Sequence, residues 1–251
     1  MKKIGVYDSG MGGLSLLARL IRDMPSYDYI YYGDAANAPY GEKSREEIQS
    51  FARKAVKELI TLGCESLVIA CNTATSAAED ILREEFDLPI FGMEPAISRA
   101  MASRDKGTLL VLATSFTLNS PRFIKSAKNF ENQRKIIPMP GPTLVRLVED
   151  SIVEGEEIRQ ELEKMSQGID LHTVDGIVLG CTHFLFLEKE IQRFFGPHVK
   201  IYDSHGDTLA LIDNGLGRGQ GGGSYRLISS AGKDREEKSQ WMLENYLREL
   251  R

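Results

Sequence analysis

The chain has 251 residues, of which 42% are apolar and 27% charged, and its net charge is -5. This composition is typical of a globular protein with one large or two ordinary domains. The apolar stretches are too short to span a membrane, and the N-terminus has no apolar signal core. The negative charge argues against a broad nucleic-acid surface. We therefore expect a cytoplasmic protein that binds neither membrane nor nucleic acid.

Three cysteines without a secretion signal indicate free thiols rather than a disulfide framework. Cys64 lies between a predicted helix and a predicted strand, and we interpret it as a small buried hydrophobe. The other two cysteines occur in more informative surroundings, described below.

The first predicted strand is Ile4–Tyr7, and a glycine-rich turn leads from it into a helix that begins near Leu14. The turn lacks the third glycine of a dinucleotide fingerprint, because Ser15 occupies that place. Backbone amides at such a turn can bind an anion, with Asp8 and Ser9 at its mouth. Alternatively, Asp8 only caps the helix.

A second strand is predicted at Tyr29–Tyr32, and the small-residue loop 33–41 follows it. Ser44 and Glu47 form a capping box before apolar residues at helical spacing. Loops at strand ends often carry function, although this one could also be a plain surface turn.

Two similar stretches contain the remaining cysteines: Val68–Thr73 and Val178–His183. Each is a short apolar run followed by a cysteine and hydrogen-bonding residues, which is typical of a buried parallel strand. Ligands of open α/β sheets bind at the carboxyl ends of such strands. With Asn72 or Thr73 as the N-cap of the next helix, Cys71 would lie at the positive end of the helix dipole, a position that lowers a thiol pKa.

The rest of the chain continues the alternation of strands and helices. The predicted strands are a short strand and turn at Pro89–Pro95, a strand and turn at Thr108–Ser115, and a strand at Lys200–Asp203. The predicted helices are one from Leu144 that bears Glu149, a solvated one at Glu156–Gln167, one from Leu209, and a C-terminal helix that docks on the N-terminal part of the chain. Between them we predict a rigid loop at Pro138–Pro142 and a flexible loop at Gly215–Ser224.

The two halves resemble each other in spacing. Val6 and Leu112 are 106 residues apart, and the two motif cysteines are 110 apart, which suggests an internal duplication. We expect an α/β fold with two pseudo-symmetric lobes and mainly parallel sheets. The first lobe would comprise residues 1–94 and 207–251, closed by the C-terminal helix, and the second residues 95–206.

Four motifs together resemble those of the glutamate racemases of the aspartate/glutamate racemase superfamily. They are Ile4–Leu14, Gly33-Asp34 with Pro39–Gly41, Ala70–Ala74 and Leu179–His183. The resemblance implies a cofactor-independent enzyme that interconverts L- and D-glutamate and supplies D-glutamate for peptidoglycan. It also implies an active site in the cleft between the lobes and a homodimer. We expect no metal among the groups of the site.

The resemblance also implies roles for individual residues. Cys71 and Cys181 match the two acid/base thiols, serving D- and L-glutamate respectively. Asp8, His183 and Glu149 match groups that assist them. The positions that match the substrate-binding set are Asp8, Ser9, Pro39, Tyr40, Gly41, Asn72, Thr73, Thr114, Ser115, Thr117, Thr182 and His183.

Some positions depart from the family pattern. Ala35 and Asn37 stand where Thr and Arg are usual, and Phe184-Leu185, Gly141 and Arg146 also differ. None of these departures affects Cys71 or Cys181. The departures leave open how strictly glutamate is preferred.

Three other functions remain open at this point. Cys71, Cys181, His183 and His205 could bind zinc, although no CxxC or HxxxH pair fixes two ligands locally. The chain could racemise another amino acid such as aspartate, or it could be a non-catalytic amino-acid-binding relative. The two cysteines could also be buried hydrophobes at strand ends.

Overall fold

The computed structural model describes residues 3–103, 105–129, 133–216, 219 and 221–250. The chain forms two compact units, Met1–Glu94 with His205–Arg251, and Pro95–Ser204. The boundary expected from the sequence, between residues 206 and 207, falls in the first turn of the helix that begins at His205.

The first unit contains a parallel sheet flanked by helices, with elements numbered along the chain. Its elements are β1 (Lys3–Asp8), α1 (Leu14–Asp23), β2 (Asp28–Gly33), a 3₁₀ helix (Tyr40–Glu42), α2 (Arg45–Thr61), β3 (Ser66–Ile69), α3 (Asn72–Glu85), β4 (Ile90–Gly92), and later α10 (His205–Leu216), β9 (Tyr225–Ser229) and α11 (Lys233–Glu249). The strand order is β4-β3-β1-β2-β9, and all described pairs are parallel.

The second unit has its own parallel sheet. Its elements are α4 (Ile97–Ala102), β5 (Thr108–Ala113), α5 (Ser115–Leu118), α6 (Pro121–Lys128), β6 (Ile136–Pro140), α7 (Pro142–Glu149), α8 (Glu156–Met165), a 3₁₀ helix (Leu171–Thr173), β7 (Val174–Leu179), a 3₁₀ helix (Thr182–Leu187), α9 (Glu188–Phe195) and β8 (Lys200–Tyr202). The strand order is β6-β5-β7-β8.

The two sheets repeat one topology. The order β4-β3-β1-β2 of the first sheet corresponds to β8-β7-β5-β6 of the second, with β9 added at one edge. Strands β3 and β7, which precede the two motif cysteines, therefore occupy equivalent places. The predicted fold class, α/β with two similar lobes and parallel sheets, is confirmed.

Local sequence signals explain several elements. Every residue of β5 is buried, as expected for an inner strand of a sheet covered on both faces. At the start of α2, Ser44 Oγ accepts a hydrogen bond from Glu47 N at 3.2 Å, and Glu47 Oε2 accepts one from Ser44 N at 2.8 Å. This is the predicted capping box.

The C-terminal helix packs as the sequence predicts. Helix α11 contacts α1, and its buried residues include Leu243 and Tyr246. Within the described part of the chain, none of the helices combines the length and apolarity needed to cross a membrane.

Three predictions of elements were wrong. Pro138–Pro142 is not a rigid loop, because Ile136–Pro140 forms the edge strand β6, where proline's missing N–H is tolerated. Strand β9 was not predicted, since its residues form no strong apolar run. Helix α10 begins at His205 rather than at Leu209. The predicted flexible loop at 215–224 includes residues 217, 218 and 220, which lie outside the described residues.

Candidate functional site

Cys71 lies at the carboxyl end of β3, where it is the N-cap of α3. The prediction that Asn72 or Thr73 caps this helix was wrong, because α3 begins at Asn72 and the thiol takes the capping place. Its Sγ accepts a hydrogen bond from Ala74 N at 3.4 Å and lies 3.5 Å from Ser9 Oγ. Both the backbone donor and the helix dipole favour a thiolate at this position.

The turn after β1 holds Asp8 in a fully buried position. Asp8 Oδ2 accepts a hydrogen bond from Gly10 N at 2.8 Å and lies 3.4 Å from Tyr31 Oη. The Tyr31 hydroxyl donates to the Gly10 carbonyl at 2.8 Å. Burial raises the pKa of Tyr31 well above its ordinary value, and the charges of Asp8 and Cys71 raise it further. Asp8 and Cys71 therefore act electrostatically on one buried phenol.

Close packing leaves no room for a side chain at Gly13. A Cβ there would lie 2.7 Å from Asp8 Cβ and 2.9 Å from Ala70 Cβ. Since Ala70 directly precedes Cys71, the turn and the cysteine strand are in contact. A shift in the turn would therefore displace both Asp8 and the residue before the thiol.

A chain of buried hydroxyls connects β1 to the loop after β2. Tyr40 donates to Asp34 Oδ2 at 2.6 Å, and the Tyr7 and Tyr40 hydroxyl oxygens are 2.6 Å apart. Because the Tyr40 proton goes to the carboxylate, Tyr7 donates to Tyr40. Burial raises the pKa of Tyr7 well above its ordinary value, the Tyr40 hydrogen bond opposes this effect, and the Cys71 charge adds to it.

The remaining candidates in the first unit lie in the segments that follow β2 and β3. Thr73 is buried, whereas Asn72, Pro39 and Gly41 are half-buried. Asn37, one of the departures from the family pattern, donates to both oxygens of Asp34 at 3.0 Å. Asn37 thereby belongs to the network that fixes Tyr40.

Cys181 lies after β7 and before the 3₁₀ helix Thr182–Leu187. Its Sγ is 3.5 Å from His183 Nδ1, and His183 Nε2 is 2.6 Å from Glu149 Oε1. Both side chains of this imidazole–carboxylate pair are largely buried. The structure thus joins three of the residues singled out from the sequence into one contiguous chain.

The geometry determines which way a proton can move. A proton on His183 Nε2 hydrogen-bonds to the Glu149 carboxylate, so Nδ1 presents its lone pair to the Cys181 thiol. The imidazole can accept the thiol proton while the carboxylate stabilises the resulting cation. The same chain can return the proton to the sulfur.

The other candidates of the second unit cluster at the end of β5 and beside Cys181. Thr114 is the N-cap of α5, and its Oγ1 accepts from Thr117 N at 3.2 Å and donates to Thr117 Oγ1 at 3.0 Å. Ser115 is exposed, whereas Thr182 is buried. Gly180 permits β7 to approach β5, because a Cβ there would lie 3.0 Å from Ala113 Cβ.

Cys64 differs from the two motif cysteines. It is buried, and burial raises the pKa of its thiol to about 11. The raised pKa favours the neutral thiol, which agrees with its interpretation as a buried hydrophobe.

Sequence reasoning did not assign roles to Tyr7, Tyr31 or Asp34. The two tyrosines belong to apolar predicted strands, and Asp34 belongs to a predicted loop. Their hydroxyls and carboxylate nevertheless connect to candidate residues. The tyrosines in these apolar strands could have indicated buried polar contacts, because the hydroxyl of a buried tyrosine needs a hydrogen-bond partner.

The ligands considered for a zinc site do not meet in one place within either unit. Cys71 and His205 belong to the first unit, and Cys181 and His183 to the second. Among the described residues, no group of three or more histidine, cysteine, aspartate or glutamate side chains could hold a metal ion.

The chain is similar to known proteins in sequence and in structure. The model of the Asp/Glu/Hydantoin racemase family matches residues 9–206. A glutamate racemase of Clostridium perfringens is 44% identical over 215 residues, which cover 85% of this chain and 82% of that protein.

Two solved structures are also similar. Escherichia coli glutamate racemase, in complex with L-glutamate and the activator UDP-MurNAc-Ala, has a TM-score of 0.83 and 26% identity over 98% of this chain and 95% of its own. The Francisella tularensis glutamate racemase, in complex with D-glutamate, has a TM-score of 0.78 and 27% identity over 96% and 93%.

Proposed function

Since this chain belongs to the Asp/Glu/Hydantoin racemase family, we propose that it interconverts L- and D-glutamate without a cofactor. The glutamate racemases that resemble it over most of its length, two of them bound to glutamate enantiomers, support this substrate. The observation that carries the mechanism is the pair of buried cysteines at equivalent strand ends, each beside its own polarising groups.

The chemistry requires two proton-transferring groups. Racemisation removes a very weakly acidic α-proton and returns one to the opposite face of the same carbon. In the proposed mechanism one cysteine is the thiolate base while the other is the thiol acid, and the roles exchange in the reverse direction. Thiols suit this exchange because their ordinary pKa of about 8.5 makes both protonation states accessible near neutral pH.

The first thiol acts on D-glutamate. Cys71 is favoured as a thiolate by Ala74 N and by the N-terminus of α3. Ser9, 3.5 Å from the sulfur, provides a hydroxyl at the same strand end. Asp8 assists from its buried turn.

The second thiol acts on L-glutamate with a different activating device. Its neighbour is a 3₁₀ helix of only six residues, and the described proton partner is His183, supported by Glu149. Cys181 therefore depends on a side-chain relay, whereas Cys71 depends more on backbone electrostatics.

We further propose that hydroxyls and backbone amides at the strand ends bind the substrate. Carboxylates bind well at helix N-termini, where backbone N–H groups lack intrahelical partners. The residues assigned to this role are Asp8, Ser9, Pro39, Tyr40, Gly41, Asn72, Thr73, Thr114, Ser115, Thr117, Thr182 and His183. In the cell, the proposed enzyme is a cytoplasmic homodimer that supplies D-glutamate for peptidoglycan.

The decisive experiment follows α-proton exchange of each glutamate enantiomer in heavy water. The wild-type protein should introduce deuterium into the inverted product. Cys71→Ser and Cys181→Ser variants should both lose racemisation, with Cys64→Ser as the matched control that keeps it. Wild-type rates in either motif-cysteine variant would contradict the two-thiol mechanism.

The same assay tests the substrate. Polarimetric or circular dichroism measurements with aspartate and alanine distinguish a glutamate racemase from a racemase of another amino acid. A protein that binds glutamate but exchanges no α-proton would instead be a non-catalytic relative.

A further inference from the structure

His205 is a completely buried histidine that the proposed mechanism does not use. It is the first residue of α10, and its Nε2 lies 3.0 Å from Ser15 Oγ. Ser15 is also completely buried, in the first turn of α1. The two residues are 190 positions apart in the chain, so only the fold brings them together.

The direction of this hydrogen bond follows from a second hydrogen bond of the Ser15 hydroxyl, to a backbone carbonyl. Ser15 Oγ is 2.8 Å from the Gly12 carbonyl, which can only accept, so the single hydroxyl proton goes to Gly12. The serine oxygen must then accept from His205, which therefore carries a proton on Nε2. The result is a directed chain from imidazole to hydroxyl to backbone carbonyl.

The end of this chain is the turn that carries Asp8 and Ser9. Gly12 precedes Gly13, where the turn is in tight contact with Asp8 and with Ala70, the residue before Cys71. Further along the turn, Gly10 N donates to the Asp8 carboxylate. A carbonyl fixed at Gly12 therefore limits movement of the groups around the Cys71 sulfur.

We propose that His205, through Ser15, is a positioning residue that holds the Asp8–Gly13 turn in place for proton transfer at Cys71. The inference rests on the proposed function, since it concerns the Cys71 half of that reaction. His205 touches neither substrate nor sulfur in this role. Its effect should be confined to the proton transfer in which Cys71 takes part.

The test compares primary isotope effects with α-deuterated D- and L-glutamate. The two enantiomers have equal free energies, so any variant must change kcat/KM by the same factor in both directions. The isotope effects measured with the two enantiomers are not required to change by the same factor. If the Cys71 step becomes slower, it becomes more rate-limiting, so the isotope effect on kcat/KM rises with D-glutamate and falls with L-glutamate.

His205→Ala should lower kcat/KM by roughly 10- to 100-fold, since misplacement of reacting groups by about 1 Å can cost 10²-fold. Its isotope effects should change in the opposite directions just described. Ser15→Ala should reproduce the pattern, and the double variant should be no worse than the worse single variant. His205→Gln retains an N–H donor at a similar reach and should restore much of the wild-type pattern.

Tyr29→Phe provides the matched control. The Tyr29 hydroxyl is buried and donates to the Met24 carbonyl at 2.7 Å, at the other end of α1. This variant should lower the thermal midpoint without changing either isotope effect. The Tyr29→Phe control therefore distinguishes a general destabilisation of α1 from displacement of the Asp8–Gly13 turn.

The outcomes separate the two proposals. If the wild-type protein racemises glutamate and both His205→Ala and Ser15→Ala keep its isotope effects, the positioning role is wrong and the proposed function stands. If the wild-type protein does not racemise glutamate, both are wrong. Should His205→Ala fail to fold, Ser15→Ala decides the question alone, because it removes the same chain with a smaller change in volume.

Discussion

Replacing Glu149 by glutamine should lower kcat/KM strongly while changing the free energy of unfolding only slightly. The substitution retains the shape and an oxygen that can accept from His183 Nε2, but it removes the charge 2.6 Å from that nitrogen. A hydrogen bond to a charged partner contributes about 1.5–3 kcal/mol, and about 1.36 kcal/mol changes a rate tenfold. If this contribution arises only when His183 holds the transferred proton, kcat/KM should fall roughly 10- to 150-fold.

The stability of the fold should respond much less. Glu149 is the last residue of α7, where its charge lies at the negative end of the helix dipole. That placement costs about 0.3–1 kcal/mol, which the neutral glutamine avoids. The gain partly offsets the weaker hydrogen bond, so the free energy of unfolding should change by less than about 1 kcal/mol.

The assay combines urea unfolding with racemisation followed by circular dichroism in both directions. The fall in kcat/KM must be equal from L- and from D-glutamate, because the equilibrium constant between enantiomers is unity. The isotope effect should rise with α-deuterated L-glutamate, the substrate assigned to Cys181. Wild-type kcat/KM in a folded Glu149→Gln protein would refute the relay.

Asp175→Asn serves as the control for this prediction. Asp175 lies near the start of β7, away from the cysteine end of the strand, and its carboxylate pairs with the buried Arg134 guanidinium. Removing that charge should lower the free energy of unfolding by about 1.5–3 kcal/mol while kcat/KM stays unchanged. Parallel losses of stability and activity in both variants would mean that Glu149 acts only through the fold.

Two further predictions concern the first unit. Because burial raises the pKa of Cys64 to about 11, the thiol stays neutral in the folded protein above its unfolded pKa of about 8.5. The associated stability is fully present below about pH 8.5 and is lost progressively as pH rises from there to about 11, since the unfolded thiol ionises first. Iodoacetamide at pH 8 should therefore leave Cys64 unmodified in the folded protein and label it in urea, as measured by peptide mass spectrometry; rapid labelling without urea would contradict its buried state. Gly13→Ala should cost about 1–3 kcal/mol of unfolding free energy and reduce racemisation, since the new Cβ would overlap Asp8 Cβ, whereas Gly222→Ala, with open space around it, should do neither. If urea unfolding showed that Gly13→Ala is as stable as the wild-type protein, the turn would be able to shift enough to accommodate the new Cβ, contrary to this prediction.

Local sequence signals predicted much of the fold because they act within a few residues. The Ser44 capping box needs only positions three apart, and the apolar runs before Cys71 and Cys181 are buried parallel strands, as predicted. The repeated spacing of the two halves predicted two similar lobes, and the structure adds that their sheets share one strand order. In contrast, the edge strands β6 and β9 were not predicted, because β6 contains Pro138 and Pro140 and none of the residues of β9 is fully buried.

The sequence by itself determined most of the elements, the two strand-end thiols and, through its motifs, the resemblance that implied their chemistry. The resemblance already implied that His183 and Glu149 assist a thiol, and only the tertiary structure decided which of their atoms meet. His183 and Glu149 are 34 positions apart, and Ser15 and His205 are 190 apart. The physical reason is that helix and strand periodicity depend on neighbouring residues, whereas a buried hydrogen bond depends on which elements pack together. Cys71 could be assigned to a helix N-terminus from the sequence, but its role as the N-cap, in place of Asn72 or Thr73, became evident only in the fold.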